Sequence, residues 1–128
     1  MDKSNELCTF FFQTFTVRLA GDRTRFSYGR VEVLNNGTWG TLCSSHWSLN
    51  DGNVVCRQIG FDGAVGVLQE DAFEQDTGKK WMNNFYCTGN ETSISECRYD
   101  RWIPVSSCDY RFYASSVICK LQGNIHSL

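Results

Sequence analysis

Seven cysteines in 128 residues constrain this chain more than any other feature, and their spacing decides what they do. From Cys43 onward the gaps are 13, 31, 10, 11 and 11 residues, with no Cys-x-x-Cys pair and only two histidines, His46 and His126. Zinc sites usually pair ligands about two to four residues apart, so the pattern argues against a metal centre. It reads instead as an oxidised disulfide framework of a secreted or cell-surface domain. Six of the cysteines, Cys43, Cys56, Cys87, Cys97, Cys108 and Cys119, admit fifteen pairings on spacing alone. Cys8 is left over, as a free thiol or a bridge to another domain or chain.

A chain of 128 residues is sized for one domain, since domains run to roughly 100–200 residues. The expected bounds are a flank over 1–14, the domain over 15–121 and a tail over 122–128. The composition, 41% hydrophobic and 20% charged with a single proline, supports a core rather than disorder. Lys and Arg are scattered among acids at a net charge of -2, which speaks against nucleic acid as a partner. No stretch approaches the roughly 18 apolar residues of a membrane span, so no direct membrane insertion is expected of this segment. Its start, MDKSNELCTFFFQTF, lacks the basic lead and unbroken apolar run of a secretory signal. An excerpt from a larger secreted or membrane-anchored protein is therefore expected. Two Asn-x-Thr sequons, at Asn36 and Asn90, are candidate glycosylation acceptors in loops.

Period-two alternation predicts strands over Phe15–Leu19, Arg30–Leu34 and Thr38–Cys43, the last two joined by an Asn35-Asn36-Gly37 hairpin turn. The polar stretch Ala20–Gly29 between the first two reads as a loop. In the second strand, Val31 and Val33 share one face and Arg30, Glu32 and Leu34 the other. Ser48 and Asp51 form a variant capping box for a helix of about ten residues that ends at Gly60. Leu49, Val54, Val55 and Ile59 are expected on its apolar side. A Gly-rich turn, Phe61–Gly66, then leads to a short strand at Val67 and Leu68. Glu70, Asp71, Glu74 and Asp76 read as a solvated acidic loop. Lys79–Cys87 is expected as a strand pair or extended core segment, Ser93–Cys97 as one helical turn, and Ser116–Cys119 as a final strand. The fold class is a small, disulfide-stapled α+β domain with a few antiparallel strands, one helix and long loops.

Several blocks resemble one family: Gly29-Arg30-Val31-Glu32-Val33, Trp39-Gly40-Thr41-Leu42-Cys43, Val54-Val55-Cys56-Arg57-Gln58-Ile59-Gly60, Cys87-Thr88-Gly89-Asn90-Glu91 and Val117-Ile118-Cys119. Together, from about Val17 to Lys120, they are similar to the scavenger receptor cysteine-rich (SRCR) domain, six-cysteine subgroup. The resemblance implies the pairs Cys43–Cys108, Cys56–Cys119 and Cys87–Cys97. It also implies a curved antiparallel sheet cradling one helix, and an extracellular, non-enzymatic module that binds proteins, polyanions or microbial surfaces. Many members hold a cation between two aspartates after the first of these cysteines and a later Glu-Asp pair. Here Ser44 and Ser45 stand in place of the first two, Tyr113 and Ala114 in place of the second, and Asn83 and Asn84 where a further acid pair is common. Calcium takes about six to eight oxygens with several carboxylates. The expectation is that this cation site is absent or very weak.

Nothing assembles a nucleophile, base and oxyanion donor, so no catalytic residues are expected. Cys43 with His46 reads as a bridged cysteine and a loop histidine, and Asp51 as a cap rather than a metal ligand. Trp39, Trp47 and Trp81 read as framework. Trp102 is the exception, beside Arg101. Arg98, Arg101 and Arg111, with Tyr99, Trp102 and Tyr110, are the candidate ligand-binding surface for an acidic protein or a sulfated glycan. The arginine-rich patch that the family places after its helix has no counterpart in Phe61-Asp62-Gly63-Ala64. No cofactor or metal is expected. Partners are protein or polyanionic ligands and neighbouring domains of the same chain. The function expected is ligand capture by a scavenger-receptor-like protein; the alternative is a docking or spacer domain within a larger secreted enzyme such as a protease or oxidase.

Overall fold

The computed structural model describes residues 15–25, 27–68, 78–108 and 113–121. Cys8, Tyr110, Arg111 and the acidic run from Glu70 to Asp76 lie outside them. In chain order the elements are β1 (Thr16–Arg25), β2 (Tyr28–Asn35), β3 (Thr38–Ser44), α1 (Leu49–Gln58), β4 (Ala64–Leu68), β5 (Lys80–Met82), β6 (Phe85–Tyr86), a 3-10 turn (Ile94–Glu96), β7 (Arg98–Tyr99), β8 (Ile103–Val105), β9 (Tyr113–Ala114) and β10 (Ser116–Cys119).

One open sheet runs β4-β10-β2-β3-β5-β8, with β1 also on β2 and β9 on β3; β6 and β7 form a separate two-stranded ribbon. The β2–β3 hairpin turns through Asn36 (φ 53) and Gly37 (φ 78), the left-handed pair that a two-residue turn needs to match strand twist. β1 is longer than the alternation suggests: it continues through the polar stretch to Arg25, with an irregularity between the Ala20 and Arg25 pairings. Backbone pairing does not depend on side-chain alternation, so the strand outlasts the pattern. The turn after α1 is likewise shorter, because β4 begins at Ala64, which packs in the core with Val67.

Among the described residues all strand pairs are antiparallel except β3 with β5, which run parallel with Leu42 opposite Trp81. A parallel pair needs a crossover, and α1 with β4 lies between the two strands in sequence. β5 and β6 belong to different sheets and do not pair with each other, unlike the strand pair expected over Lys79–Cys87. β8 holds the lone proline, Pro104, which the composition gave no reason to place in a strand. It sits on the sheet's edge strand, where a missing backbone N–H breaks no ladder.

The core lies between one face of the sheet and α1. Val17, Val31, Val33 and Leu42 meet Val54, Val55 and Cys56, with Trp47, Phe85, Ile94 and Val117 closing the sides. α1 approaches β4 so closely that a Cβ on Gly52 would overlap Val67 Cγ1. Leu49 departs from the expected apolar stripe and is 47% exposed, since in the first turn it is Asp51 and Gly52 that face inward. The opposite face of β2 is covered too: Glu32 accepts from Arg18 Nε at 2.8 Å and from Arg30 Nη2 at 2.9 Å, and Arg30 Nε donates to Thr41 Oγ1 at 3.0 Å. Both charges of the Arg30–Glu32 pair are buried, and mutual hydrogen bonding is what makes that tolerable.

Three disulfides staple this frame: Cys43–Cys108 (Cα–Cα 5.4 Å), Cys56–Cys119 (5.5 Å) and Cys87–Cys97 (4.7 Å). They are the pairs that the family resemblance implies.

The helix cap does more than the sequence suggests. Ser48 Oγ accepts from Asp51 N and Asp51 Oδ2 from Ser48 N, which is the capping box. Asp51 Oδ1 also accepts from Cys87 N at 3.0 Å, tying the helix start to the loop closed by Cys87–Cys97. Burial pushes this carboxyl above its ordinary range, against the hydrogen bonds from Ser48 and Cys87 and the nearby His46. Asp51→Ala leaves the buried Cys87 N–H and the part-buried Ser48 N–H without their acceptor and is expected to cost about 1–3 kcal/mol in urea unfolding. A raised folded pKa means that the carboxyl's contribution is full below its unfolded value and is lost as pH rises through the folded one. The difference between wild type and Asp51→Ala should therefore narrow as pH rises through the carboxyl range.

Candidate functional site

The β6–β7 ribbon sorts its four side chains by strand alternation. Phe85 and Tyr99 pair on the inner side, where Phe85 is fully buried and the two rings lie 5.6 Å apart. Tyr86 and Arg98 pair on the outer side, with the Arg98 guanidinium 4.4 Å from the centre of the Tyr86 ring. The His46 ring, from the loop between β3 and α1, stacks on the same tyrosine at 5.2 Å and 26°. Imidazole, phenol and guanidinium thus form one surface group, with His46 and Arg98 exposed and Tyr86 half-buried between them.

A hydrogen-bonded base holds this group in place. Tyr86 OH donates to Asp100 Oδ2 at 3.0 Å, and that bond pushes the phenol's pKa up, so it remains a donor. Asn84 Nδ2 donates to the same carboxylate oxygen at 3.3 Å. On its other side, Asn84 Oδ1 accepts from Ser44 Oγ (2.8 Å), Ser45 N (2.9 Å) and Ser45 Oγ (3.2 Å). His46 N donates to Ser44 Oγ at 3.0 Å, and Asp100 N to Asn83 Oδ1 at 3.1 Å.

Of the residues picked from sequence, Arg98 stands on this face and Arg101 is exposed in the turn before β8. Among the described residues neither forms an ion pair. Trp102 is drawn inward instead, half-buried in edge contacts with Phe15 (5.2 Å), Phe85 (5.8 Å) and Trp81 (6.3 Å). Tyr99 also points to the core. Arg111 and Tyr110 fall outside the described residues. His46, Tyr86 and Asp100 are the members that sequence reasoning missed, and Asn84 stood out there only as a departure from a common acid pair. They meet only through tertiary contacts, and strands of two residues carry no readable alternation.

The family's cation does not fit here. Both serine hydroxyls are directed at Asn84, Tyr113 stands across the strand pair from Ser44, and Asp100, the cluster's one carboxylate among the described residues, already accepts two hydrogen bonds. A second group with metal-ligand chemistry, Cys87, Glu91 and Cys97, has both sulfurs in one disulfide. Glu91 is occupied as well: burial alone would raise its pKa, but N–H bonds from Thr88 and Gly89 hold it below the ordinary value.

Both sequon asparagines are exposed, Asn36 at the hairpin turn and Asn90 in the loop before the 3-10 turn. Arg57 anchors that second loop to α1 by donating to the carbonyls of Gly89 (2.7 Å) and Glu91 (2.6 Å).

Residues 20–120, nearly all of the sheet, the helix and all three disulfides, match the profile of the scavenger receptor cysteine-rich domain. The chain belongs to that family. This SRCR domain is 42% identical over 98 residues to macrophage scavenger receptor types I and II of Bos taurus, covering 77% of this chain and 21% of that protein. It is 37% identical over 94 residues to lysyl oxidase homolog 2 of Gallus gallus, covering 73% of this chain and 12% of that protein. The chain thus spans about a fifth or less of the length of these relatives. Among solved structures, the third SRCR domain of murine neurotrypsin superposes with a TM-score of 0.68 at 33% identity, over 85% of this chain and 99% of that one. The dimeric form of the SRCR domain of mouse MARCO superposes with a TM-score of 0.58 at 29% identity, over 81% and 94%. Like the SRCR domains of scavenger receptors and secreted lysyl oxidase homologs, this one is extracellular, in keeping with its three disulfides. No helix among the described residues is long and apolar enough to cross a membrane.

Proposed function

We propose that this SRCR domain is a non-enzymatic ligand-binding module, and that it takes acidic proteins or polyanions on the face built around Tyr86. The observation that carries the reading is Arg98: an exposed guanidinium with no carboxylate partner among the described residues, held in one direction by the ring beneath it. A preorganised guanidinium offers paired donors to a sulfate or carboxylate at a reduced ordering cost. Arg101 adds a second exposed charge three residues on, and Arg111 is assigned to the same surface from the sequence. Trp102 supports the face from within rather than touching ligand.

Reversing both charges, Arg98→Glu with Arg101→Glu, is expected to weaken heparin binding at least about tenfold, equivalent to about 1.4 kcal/mol. Salt elution from heparin-agarose measures this, and unchanged retention would count against the face. A second reading, a docking or spacer domain inside a larger secreted enzyme, is favoured by the similarity to lysyl oxidase homolog 2. Cys8, outside the family match, would then bridge a neighbouring domain. Glycans on Asn36 and Asn90 belong to either reading.

A further inference from the structure

We propose that Asn84 takes the structural place of the family's cation, so that the Tyr86 face is held ready without a divalent ion. This rests on the reading of that face as the ligand site. A bound cation joins two segments by drawing oxygens from both. Asn84 joins two segments here by hydrogen bonds. Its Oδ1 gathers three donors from Ser44 and Ser45 at the end of β3, and its Nδ2 reaches Asp100 beyond β7.

An amide oxygen offers two lone pairs, so three donors saturate it. The serine hydroxyls present protons to Asn84 rather than lone pairs to an ion. Ser44 Oγ also accepts from His46 N, which fixes the start of the loop carrying the imidazole. From Asn84 the bonds continue through Asp100 to Tyr86, whose ring carries both His46 and Arg98. Asn84 is therefore a positioning residue: the side-chain hydrogen bonds described from Ser44 and Ser45 reach the Asp100 carboxylate through it. Among the described residues the cluster offers one carboxylate, which is too little charge for calcium, whereas an amide that both accepts and donates satisfies hydroxyls on one side and an acid on the other.

The test uses the whole chain, with thermal unfolding and heparin salt elution each measured in millimolar calcium and in excess EDTA. Wild type is expected to give the same Tm and the same elution in both. Asn84→Ala is expected to lower the Tm by several degrees and to elute at lower salt, in both conditions alike. Asn84→Asp, which keeps the acceptor but sets a second carboxylate against Asp100, is expected to lose stability in EDTA and regain it in calcium. A calcium-dependent rise in the wild-type Tm that Ser44→Ala with Ser45→Ala removes would overturn the proposal. So would an Asn84→Ala variant with unchanged Tm and elution. Failure of wild type to bind heparin at all would sink the ligand-face reading alone, and the Tm comparison would still decide the role of Asn84.

Discussion

Replacing Cys56 and Cys119 together by alanine is expected to lower the domain's stability by about 2–5 kcal/mol. This bridge spans 63 residues, and closing a loop of that size contributes roughly 4 kcal/mol in the chain-entropy model. It also ties the helix to the sheet across the core, since Cys56 lies on α1 and Cys119 on β10, both buried. Domains of this kind hold about 5–15 kcal/mol in total, so the variant should be marginal at body temperature. The Cys87–Cys97 bridge closes only 10 residues, which the same model values at roughly 3 kcal/mol. Urea unfolding followed by tryptophan fluorescence under non-reducing conditions measures the difference. A loss below about 1 kcal/mol would show that the sandwich, and not the covalent tie, holds α1 to β10.

The second large effect is expected from Phe85→Ala, at about 3–5 kcal/mol. Phe85 is fully buried and its ring meets both Tyr99 and Trp102, so truncation leaves a cavity that these two packed aromatics cannot fill without moving. The consequence reaches the surface because the next residue is Tyr86, in the same two-residue strand. A ribbon released from the core no longer fixes the ring under Arg98. Heparin retention should therefore fall along with stability. Tyr86→Ala, on the outer side, should lower retention while costing little stability. Equal stability losses in the two variants would mean that the ribbon's inner and outer sides are not separated as described.

Much of the frame was legible in the sequence because local chemistry determines it. Asn36-Gly37 admits few conformations other than a tight turn, and Ser48 with Asp51 reads as a helix start before any contact is known. What stayed hidden depends on partners remote in sequence. β6, β7 and β9 are two residues each, too short for a period, and Pro104 argues against the very strand that holds it. Trp102 beside Arg101 suggests an exposed pair, yet the indole turns to Phe15, Phe85 and Trp81. The candidate site was half legible for the same reason. Arg98 stands out as charge, but His46 and Tyr86 are 40 positions apart and come together only when the loop after β3 lies on the ribbon. Ser44 and Ser45 announced what is missing from the family pattern; only the structure supplies Asn84 as what replaced it.

The position of β10 bears on how the domain is made. The last strand in the sequence is not an edge but lies between β4 and β2, hydrogen-bonded to both. Until Ser116–Cys119 emerge during synthesis, β4 has no neighbour through which to join the main sheet, and Cys56 has no partner. Early segments must wait for late ones, a non-local order that favours slow, all-or-none folding. A nascent or prematurely ended chain would therefore present unpaired strand edges and a free Cys56 thiol to the secretory pathway's quality control.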